Sequence, residues 1–411
     1  MTMGIRNDLR TLAFIIGLAA LTGLAACGDD DSPTTPAPAA TWTGEGFAWT
    51  DPYRPDGADF SRIEFRKVGA TVHLRGWADA GTTRLSAGQV IGVLPAEYRP
   101  GGTESVFLLC ATVGWPGGQT DAYVGTAGVV IAGDGTVVVT TVQQYDGELQ
   151  YLFFDSQSFS TPGDSWTNEG IVWSAPYATG GDYPSTLAYV AADGMVRLQG
   201  SANAGTTGVQ AGQLIGTLPE GARPPAGTSA ILLCPTWGWP AGFPGGYVGT
   251  AGVMVYADGR IEVRTVQQHA GQMQYVMFDG LSFATAVSGW SGDGIVYTAP
   301  YVADGTFPST LQYRAQGDLV SLKGRANAGS TRVQSGQEFC LLPPDVRLQD
   351  GNERVVLCPT WGWPNGLPDG YIGTAGVVIE IGGPIRIVTV QQFDAQQQYV
   401  SFDGKVYSLP D

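Results

Sequence analysis

Acidic residues are the only side chains in this sequence whose types and repeated spacing could support catalysis. They stand near the start and the end of three similar segments, as Glu45 and Asp155, Glu169 and Asp279, and Asp293 and Asp403. Glycoside hydrolysis needs two carboxyl groups about 5–10 Å apart. A structural role is favoured, because an aspartate at such a strand end is typical of a turn residue that bonds its own backbone. The first acid is glutamate in two segments and the shorter aspartate in the third, which a fixed catalytic geometry would not tolerate well. We therefore predict that the protein is not an enzyme.

Histidine and metal chemistry have less support. The two histidines, His73 and His269, do not occupy equivalent positions, since position 73 becomes Arg197 and Ser321 in the later segments. This excludes a Ser–His–acid or Cys–His site that is repeated three times. No spacing of Cys and His typical of a metal site occurs, and no cofactor is predicted.

Composition predicts strands and short turns, and it excludes some partners. The 411 residues include 60 glycines and 26 prolines, only 14% are charged, and the formal net charge is −16. An excess of Gly, Thr and Val over Lys and Glu favours strands over helices. A phosphate-binding surface needs clustered Lys and Arg, so nucleic acid is not an expected partner. The same argument excludes docking of the folded part on anionic lipid headgroups.

Residues 1–26 have the features of a separate signal. Two arginines precede an apolar run too short to span a membrane, and the motif Leu-Ala-Ala-Cys ends it at Cys27. This pattern resembles the signal of bacterial lipoproteins, which implies cleavage before Cys27, lipid on its sulfur and a place in the cell envelope, at the outer membrane or cell surface. An ordinary signal peptide with an incidental cysteine is the alternative. Residues 27–41 are polar and proline-rich, and we expect them to form an extended tether.

The remainder of the chain is a threefold repeat. Trp42, Trp166 and Trp290 open matching segments with a period of 124 residues. The three segments, called copy 1, copy 2 and copy 3, span 42–160, 166–284 and 290–408. The links between them, residues 161–165 and 285–289, are five residues long and reach at most about 20 Å. Neighbouring copies must therefore touch or nearly touch.

Each copy is predicted to be an all-β sandwich. In copy 2 the stretches "MVRLQGSA" and "RIEVRTVQQ" alternate apolar and polar residues, the period of half-buried strands. No stretch has sustained helical periodicity with caps. The runs between Gly and Pro clusters predict about eight to ten strands per copy, which fits two packed sheets.

A family resemblance adds to this interpretation. Copy 2 contains "VRLQG", "GQLIGTLPEGARP", "YADGRIEV" and "MFDGLSF" in that order. The series resembles the globular heads at the tips of phage tail fibres, which are similar in fold to the jelly rolls of complement and tumour-necrosis-factor proteins. Copies 1 and 3 depart from it at "VLPAEYRP" and "CLLPPDVRL". Because such heads assemble as threefold trimers, the resemblance implies three jelly-roll-like sandwiches in a single-chain pseudo-trimer; three separate beads in a row are the alternative.

Aromatic residues in a Gly- and Pro-rich loop are the candidate ligand contacts. Each copy carries a Gly-Trp-Pro motif, copies 2 and 3 have a second tryptophan, and a tyrosine follows in all three. The candidate residues are Trp115, Trp237, Trp239, Trp361, Trp363, Tyr123, Tyr247 and Tyr371. Rings in a loop fixed by Pro and Gly lose little entropy on binding and suit the apolar faces of sugars. The alternative is that they close the ends of the sandwich or pack between copies.

The internal cysteines are expected to be mainly structural. Cys110, Cys234 and Cys358 end apolar strands, where a free cysteine behaves as a small buried apolar residue. Cys340 occurs only in copy 3, on a strand expected to neighbour that of Cys358. An exported protein can hold a disulfide, so we predict a Cys340–Cys358 bridge, with two free thiols as the alternative.

Together these features predict a lipid-anchored adhesion or binding protein that recognises a glycan or other surface ligand through its aromatic loops. A structural or assembly protein with those loops buried is the second hypothesis. A glycosidase-like enzyme that uses the paired acids is the third. The sequence leaves the oligomeric state open.

Overall fold

A computed structural model describes residues 41–57, 60–101, 105–117, 122–161, 163, 165–285, 289–364, 367 and 370–409. The predicted signal sequence, Cys27 and the predicted tether up to residue 40 lie outside these residues, so all three stay predictions. All described residues belong to one compact unit, Ala40–Asp411.

Antiparallel strands form almost all the regular structure of the described chain. Copy 1 contains β1 Ala48–Trp49, β2 Arg62–Val68, β3 Thr71–Asp79, β4 Val90–Val93, β5 Val106–Gly114, β6 Tyr123–Ile131, β7 Thr136–Val142, β8 Leu149–Phe153 and β9 Gln157–Ser160. Copy 2 contains β10 Val172–Trp173, β11 Ala188–Ala192, β12 Met195–Gln199, β13 Ser201–Asn203, β14 Leu214–Thr217, β15 Ser229–Gly238, β16 Tyr247–Tyr256, β17 Arg260–Val266, β18 Met273–Met277 and β19 Leu281–Ala284. Copy 3 contains β20 Val296–Tyr297, β21 Gln312–Gln316, β22 Leu319–Lys323, β23 Arg325–Asn327, β24 Glu338–Leu341, β25 Arg354–Gly362, β26 Tyr371–Ile379, β27 Pro384–Val390, β28 Gln397–Ser401 and β29 Lys405–Ser408.

In the described residues the helical content is limited to short 3₁₀ turns at matching places in the copies. They are Gly81–Thr83, Ala96–Tyr98, Gly205–Thr207, Glu220–Ala222, Gly329–Thr331 and Pro344–Val346. The predicted all-β class is therefore confirmed.

Strand pairing follows the same order in each copy. Copy 2 has a seven-stranded sheet, β10-β14-β17-β16-β15-β18-β13, and a three-stranded sheet, β11-β12-β19. Copy 3 repeats this pattern as β20-β24-β27-β26-β25-β28-β23 and β21-β22-β29. In copy 1 the long strand β3 runs through both regions and joins them into one nine-stranded sheet. Each copy also encloses its own apolar core.

A fourth apolar core lies between the copies. The strand β5 sends Leu108 and Cys110 into the core of copy 1, while Phe107 and Leu109 enter the shared core. Copies 2 and 3 contribute the equivalent faces of β15 and β25. Strands buried on both sides read as unbroken apolar runs, which explains "VFLLC", "AILLC" and "RVVLC".

Glutamine contacts connect the copies in a closed cycle. Gln143 of copy 1 donates to the Thr250 hydroxyl of copy 2 at 2.9 Å, and Gln267 of copy 2 donates to Thr374 of copy 3 at 3.0 Å. Gln391 of copy 3 returns to copy 1, where it donates to the Thr126 hydroxyl at 2.9 Å. Each of these glutamines is the first of a Gln-Gln pair. The second glutamine bonds a backbone amide of its own copy.

Candidate functional site

The Gly-Trp-Pro tryptophans lie at the surface. Trp115, Trp239 and Trp363 follow the ends of β5, β15 and β25, and 44%, 51% and 48% of their areas are exposed. The indole side chain is large and apolar, so exposure of half of it in three equivalent loops needs a reason other than core packing. Of the five candidate tryptophans, these three are the ones with an exposed ring that a ligand could contact.

The second tryptophan of the loop has a different environment. Trp361 is only 7% exposed and belongs to the shared core, and Trp237 packs against that core from copy 2. The Trp237 ring lies 5.2 Å from the ring of Phe107 in copy 1, measured between centroids. Packing between copies accounts for the positions of Trp237 and Trp361, which favours the packing alternative of the sequence analysis for these two residues.

The buried ring supports the exposed one. The centroids of Trp237 and Trp239 are 5.7 Å apart in an edge-to-face arrangement, and Trp361 and Trp363 repeat this distance. Such aromatic pairs are favourable beyond the area that they bury. In copy 1 the exposed Trp115 lacks this partner and lies beside Tyr151 at 6.4 Å, as Trp239 lies beside Tyr275. The exposed rings are therefore held in place before any ligand arrives.

A glycine at the end of the loop makes room for the buried indole. Gly246 has a φ of +93°, and a Cβ built on it would overlap the six-membered ring of Trp237. Gly370 lies against Trp361 in the same way. Copy 1 has Ala122 at this position and the smaller Val113 in place of the indole. The two positions thus differ together between copies for a steric reason.

The three loop tyrosines are mostly covered. Tyr247 is 8% exposed, while Tyr123 and Tyr371 are half-buried. Burial and the neighbouring phenol of Tyr145 raise the pKa of Tyr123 to about 12. The three loop tyrosines therefore expose too little area to form more than the border of a ligand-binding surface.

Each tyrosine packs edge-on against a ring that follows the Gln-Gln pair. These partners are Tyr145, His269 and Phe393 at centroid distances of 4.8, 4.7 and 4.8 Å. Tyr145 and Phe393 are 38% and 36% exposed, as is 40% of Phe243 in the copy 2 loop. Our sequence interpretation did not include these rings in the site. For Tyr145, His269 and Phe393, the signal that could have found them is a ring at one position in all three copies.

The two acids of each predicted pair have different environments. Glu45, Glu169 and Asp293 are exposed residues in turns. Asp155 is buried and accepts from the backbone N–H groups of Gly76, at 3.2 Å, and Val355. Burial raises the pKa of Asp155 to about 6, although Arg354 and these hydrogen bonds act in the opposite direction.

The later acids have the same role. Asp279 and Asp403 accept from the backbone N–H groups of Gly200 and Gly324, at 2.9 and 3.0 Å. These carboxylates therefore bond a neighbouring strand, where we had expected bonds to their own turn. Their position supports a structural interpretation.

The expected Cys340–Cys358 bridge is not formed. Both residues are buried free thiols, as are Cys110 and Cys234. Cys340 lies on β24 and Cys358 on β25, and the sheet order places β27 and β26 between them. The expectation failed because the two strands are adjacent in sequence order but not in the sheet.

Two other features are absent from the described residues. No group of three His, Cys, Asp or Glu residues is arranged to hold a metal ion in this part of the chain. No helix there has the length and apolar character needed to cross a bilayer.

Comparison with protein-family models, curated proteins and solved structures found no match to the chain.

Proposed function

We propose that this protein is a lipid-anchored receptor-binding or adhesion protein of the bacterial envelope, which recognises a glycan or other surface ligand through Trp115, Trp239 and Trp363. The observation that carries the proposal is the half-exposure of these three indoles in equivalent loops. Their geometry is set by the rings behind them, so binding costs little conformational entropy. Flat apolar rings of this kind suit the apolar face of a sugar.

The cyclic contacts between copies support the view that the chain is a single-chain pseudo-trimer of tail-fibre-head type. Three loops on one compact unit would engage a repetitive surface at several points, and the combined affinity would exceed that of one loop. Lipid on Cys27 and the tether of residues 27–41 would hold this body away from the membrane.

The deciding experiment is glycan-array binding by the full chain and a variant with Trp115→Ala, Trp239→Ala and Trp363→Ala. We expect the variant to bind its best glycan at least about tenfold more weakly, because exposed aromatic anchors dominate such interfaces. Tyr183→Ala is the matched control, because Tyr183 is 42% exposed but lies outside the loops. Unchanged binding by the triple variant, with a normal melting temperature, would end the proposal.

A second role is favoured for the other two tryptophans. Trp361 is buried in the shared core, where Arg264 of copy 2 lies over its ring at 5.4 Å. We assign Trp237 and Trp361 to assembly of the three copies. Trp361→Ala should lower the melting temperature without changing the preference among glycans at temperatures where the protein stays folded.

A further inference from the structure

A second region of the molecule brings the three copies together around a cavity of about 390 Å³. Its wall includes His73, Arg197 and Ser321, which occupy one equivalent position in the three copies. Trp42 and Arg314 also line it. The cavity is distinct from the loop tryptophans, none of which contributes to its wall.

In copy 1 an indole and an arginine hold a carboxylate from copy 3. The indole N–H of Trp42 donates to Asp318 at 2.7 Å, and Arg66 forms an ion pair with the same carboxylate. The Arg66 guanidinium lies 4.8 Å from the centroid of the Trp42 ring. Burial alone would raise the pKa of Asp318, but hydrogen bonds from Arg66 and Trp42 hold it below its ordinary value.

Copy 3 repeats the indole and the arginine without the acid. Arg314, the equivalent of Arg66, lies 5.0 Å from the centroid of the Trp290 ring, and Lys323 lies 4.7 Å from it. Trp290 is 9% exposed, and its buried indole N–H has no hydrogen-bond partner among the residues that the structure describes. Arg314 forms no ion pair with any described residue and donates instead to the carbonyl oxygen of Asp193 in copy 2, at 2.7 Å.

Copy 2 lacks an equivalent of Asp318 because two residues of its turn stand in the opposite order. Copy 3 has Gly317 followed by Asp318, with the positive φ of 62° at the glycine. Copy 2 has Asp193 followed by Gly194, both with positive φ, so Gly194 stands where Asp318 stands in copy 3. Asp193 is an exposed residue at the wall of the cavity, and it is its backbone carbonyl oxygen that accepts from Arg314.

We propose that the junction of copies 2 and 3 binds the carboxylate group of an organic acid or acidic sugar, which Trp290 and Arg314 hold as Trp42 and Arg66 hold Asp318. An unpaired indole N–H in a buried position is costly, and a guanidinium forms its strongest contacts with a carboxylate. Arg314 lines the cavity, so the remainder of the ligand extends into that space. This site is independent of the aromatic loops and adds a second recognition element to the chain.

Thermal unfolding of the full chain tests the site. We expect acetate or glucuronate, at about ten times its Kd, to raise the melting temperature by about 2 °C over chloride at equal ionic strength. Glucose serves as the uncharged control. An acidic sugar as the natural ligand would make glucuronate act at much lower concentration than acetate, whereas equal potency would indicate a small organic acid. The absence of any carboxylate-specific shift would overturn the proposal.

Two variants locate the effect. Arg314→Val, which copies Val190 of copy 2, should abolish the shift, while Arg54→Val removes an exposed arginine and should leave it unchanged. Exchange of the turn residues, Asp193→Gly with Gly194→Asp, should supply the missing acid, raise the melting temperature and remove the response. A full response in Arg314→Val would place any binding elsewhere and refute this site, even if the turn exchange fails to fold.

Discussion

Gly128 of copy 1 lies so close to Val248 of copy 2 that a Cβ on the glycine would overlap the valine side chain. Gly252 meets Ile372 of copy 3 in the same way, and Gly376 of copy 3 meets Val124 of copy 1. The three contacts run in the same direction as the glutamine bonds. Close backbone approach at these glycines is therefore a requirement of the contact between copies.

Substitution Gly128→Ala should weaken the junction of copies 1 and 2. The added methyl group overpacks a close contact, which costs about 1–3 kcal/mol of unfolding free energy, as measured by urea denaturation. Gly221→Ala is the control, because a Cβ at Gly221 would meet no atom within 4 Å and its φ is not positive. Equal stability of the two variants would contradict the role given to Gly128.

The pairing of Gly246 with Trp237 predicts non-additive effects. Gly246→Ala should destabilise the protein by about 1–3 kcal/mol in the wild type and by less in a Trp237→Val background, because the overlap with the indole is removed. The strain of alanine at positive φ would remain in both backgrounds. Additive losses in a double-mutant cycle would show that Gly246 is needed only for its φ.

Thiol titration tests both lipid attachment at Cys27 and the absence of a Cys340–Cys358 bridge. Of the five cysteines in the chain, the four that the structure describes are buried free thiols, and burial raises the pKa of Cys358 to about 12. A folded sample should therefore show no thiol that reacts with a disulfide reagent if Cys27 carries lipid, and one if it does not. After denaturation without reductant, four should react in the lipidated protein. Only two reactive thiols after denaturation would show that the Cys340–Cys358 bridge is present and would contradict the structure.

His73 should make stability depend on pH. Burial, with Arg66 and Arg197 nearby, lowers its pKa to about 4 in spite of Asp318, so the folded protein keeps the imidazole neutral. The unfolded chain binds a proton near pH 6.5, and stability from this group is therefore lost as pH falls from about 6.5 to 4. His73→Ser, which copies Ser321 of copy 3, should flatten this part of the stability curve. A pKa near 6.5 by NMR of the folded protein would contradict the prediction.

The sequence predicted what local pattern controls. Alternation of apolar and polar residues in "RIEVRTV" gave a strand that alternates between buried and more exposed residues in the same register. The fixed period gave three similar sets of strands, and Gly and Pro marked the turns. The repeat also allowed equivalent positions to be compared, which identified the loops.

Predictions that depended on contacts between distant residues were less successful. Whether Trp237 or Trp239 faces solvent depends on Phe107, which belongs to another copy. The bridge from Cys340 required knowledge of the sheet order. The partner of Trp42 could not be found from local sequence, because Asp318 lies 276 residues away.

The linkage of three copies in one polypeptide has an evolutionary consequence for the cavity. In a trimer of identical subunits, a substitution at any position of the cavity wall would be present in all three subunits. In a single chain each occurrence can differ from the other two, and the three residues at one equivalent position, His73, Arg197 and Ser321, are all different. The wall of the cavity can therefore be asymmetric, and an asymmetric cavity can bind ligands that have no threefold symmetry.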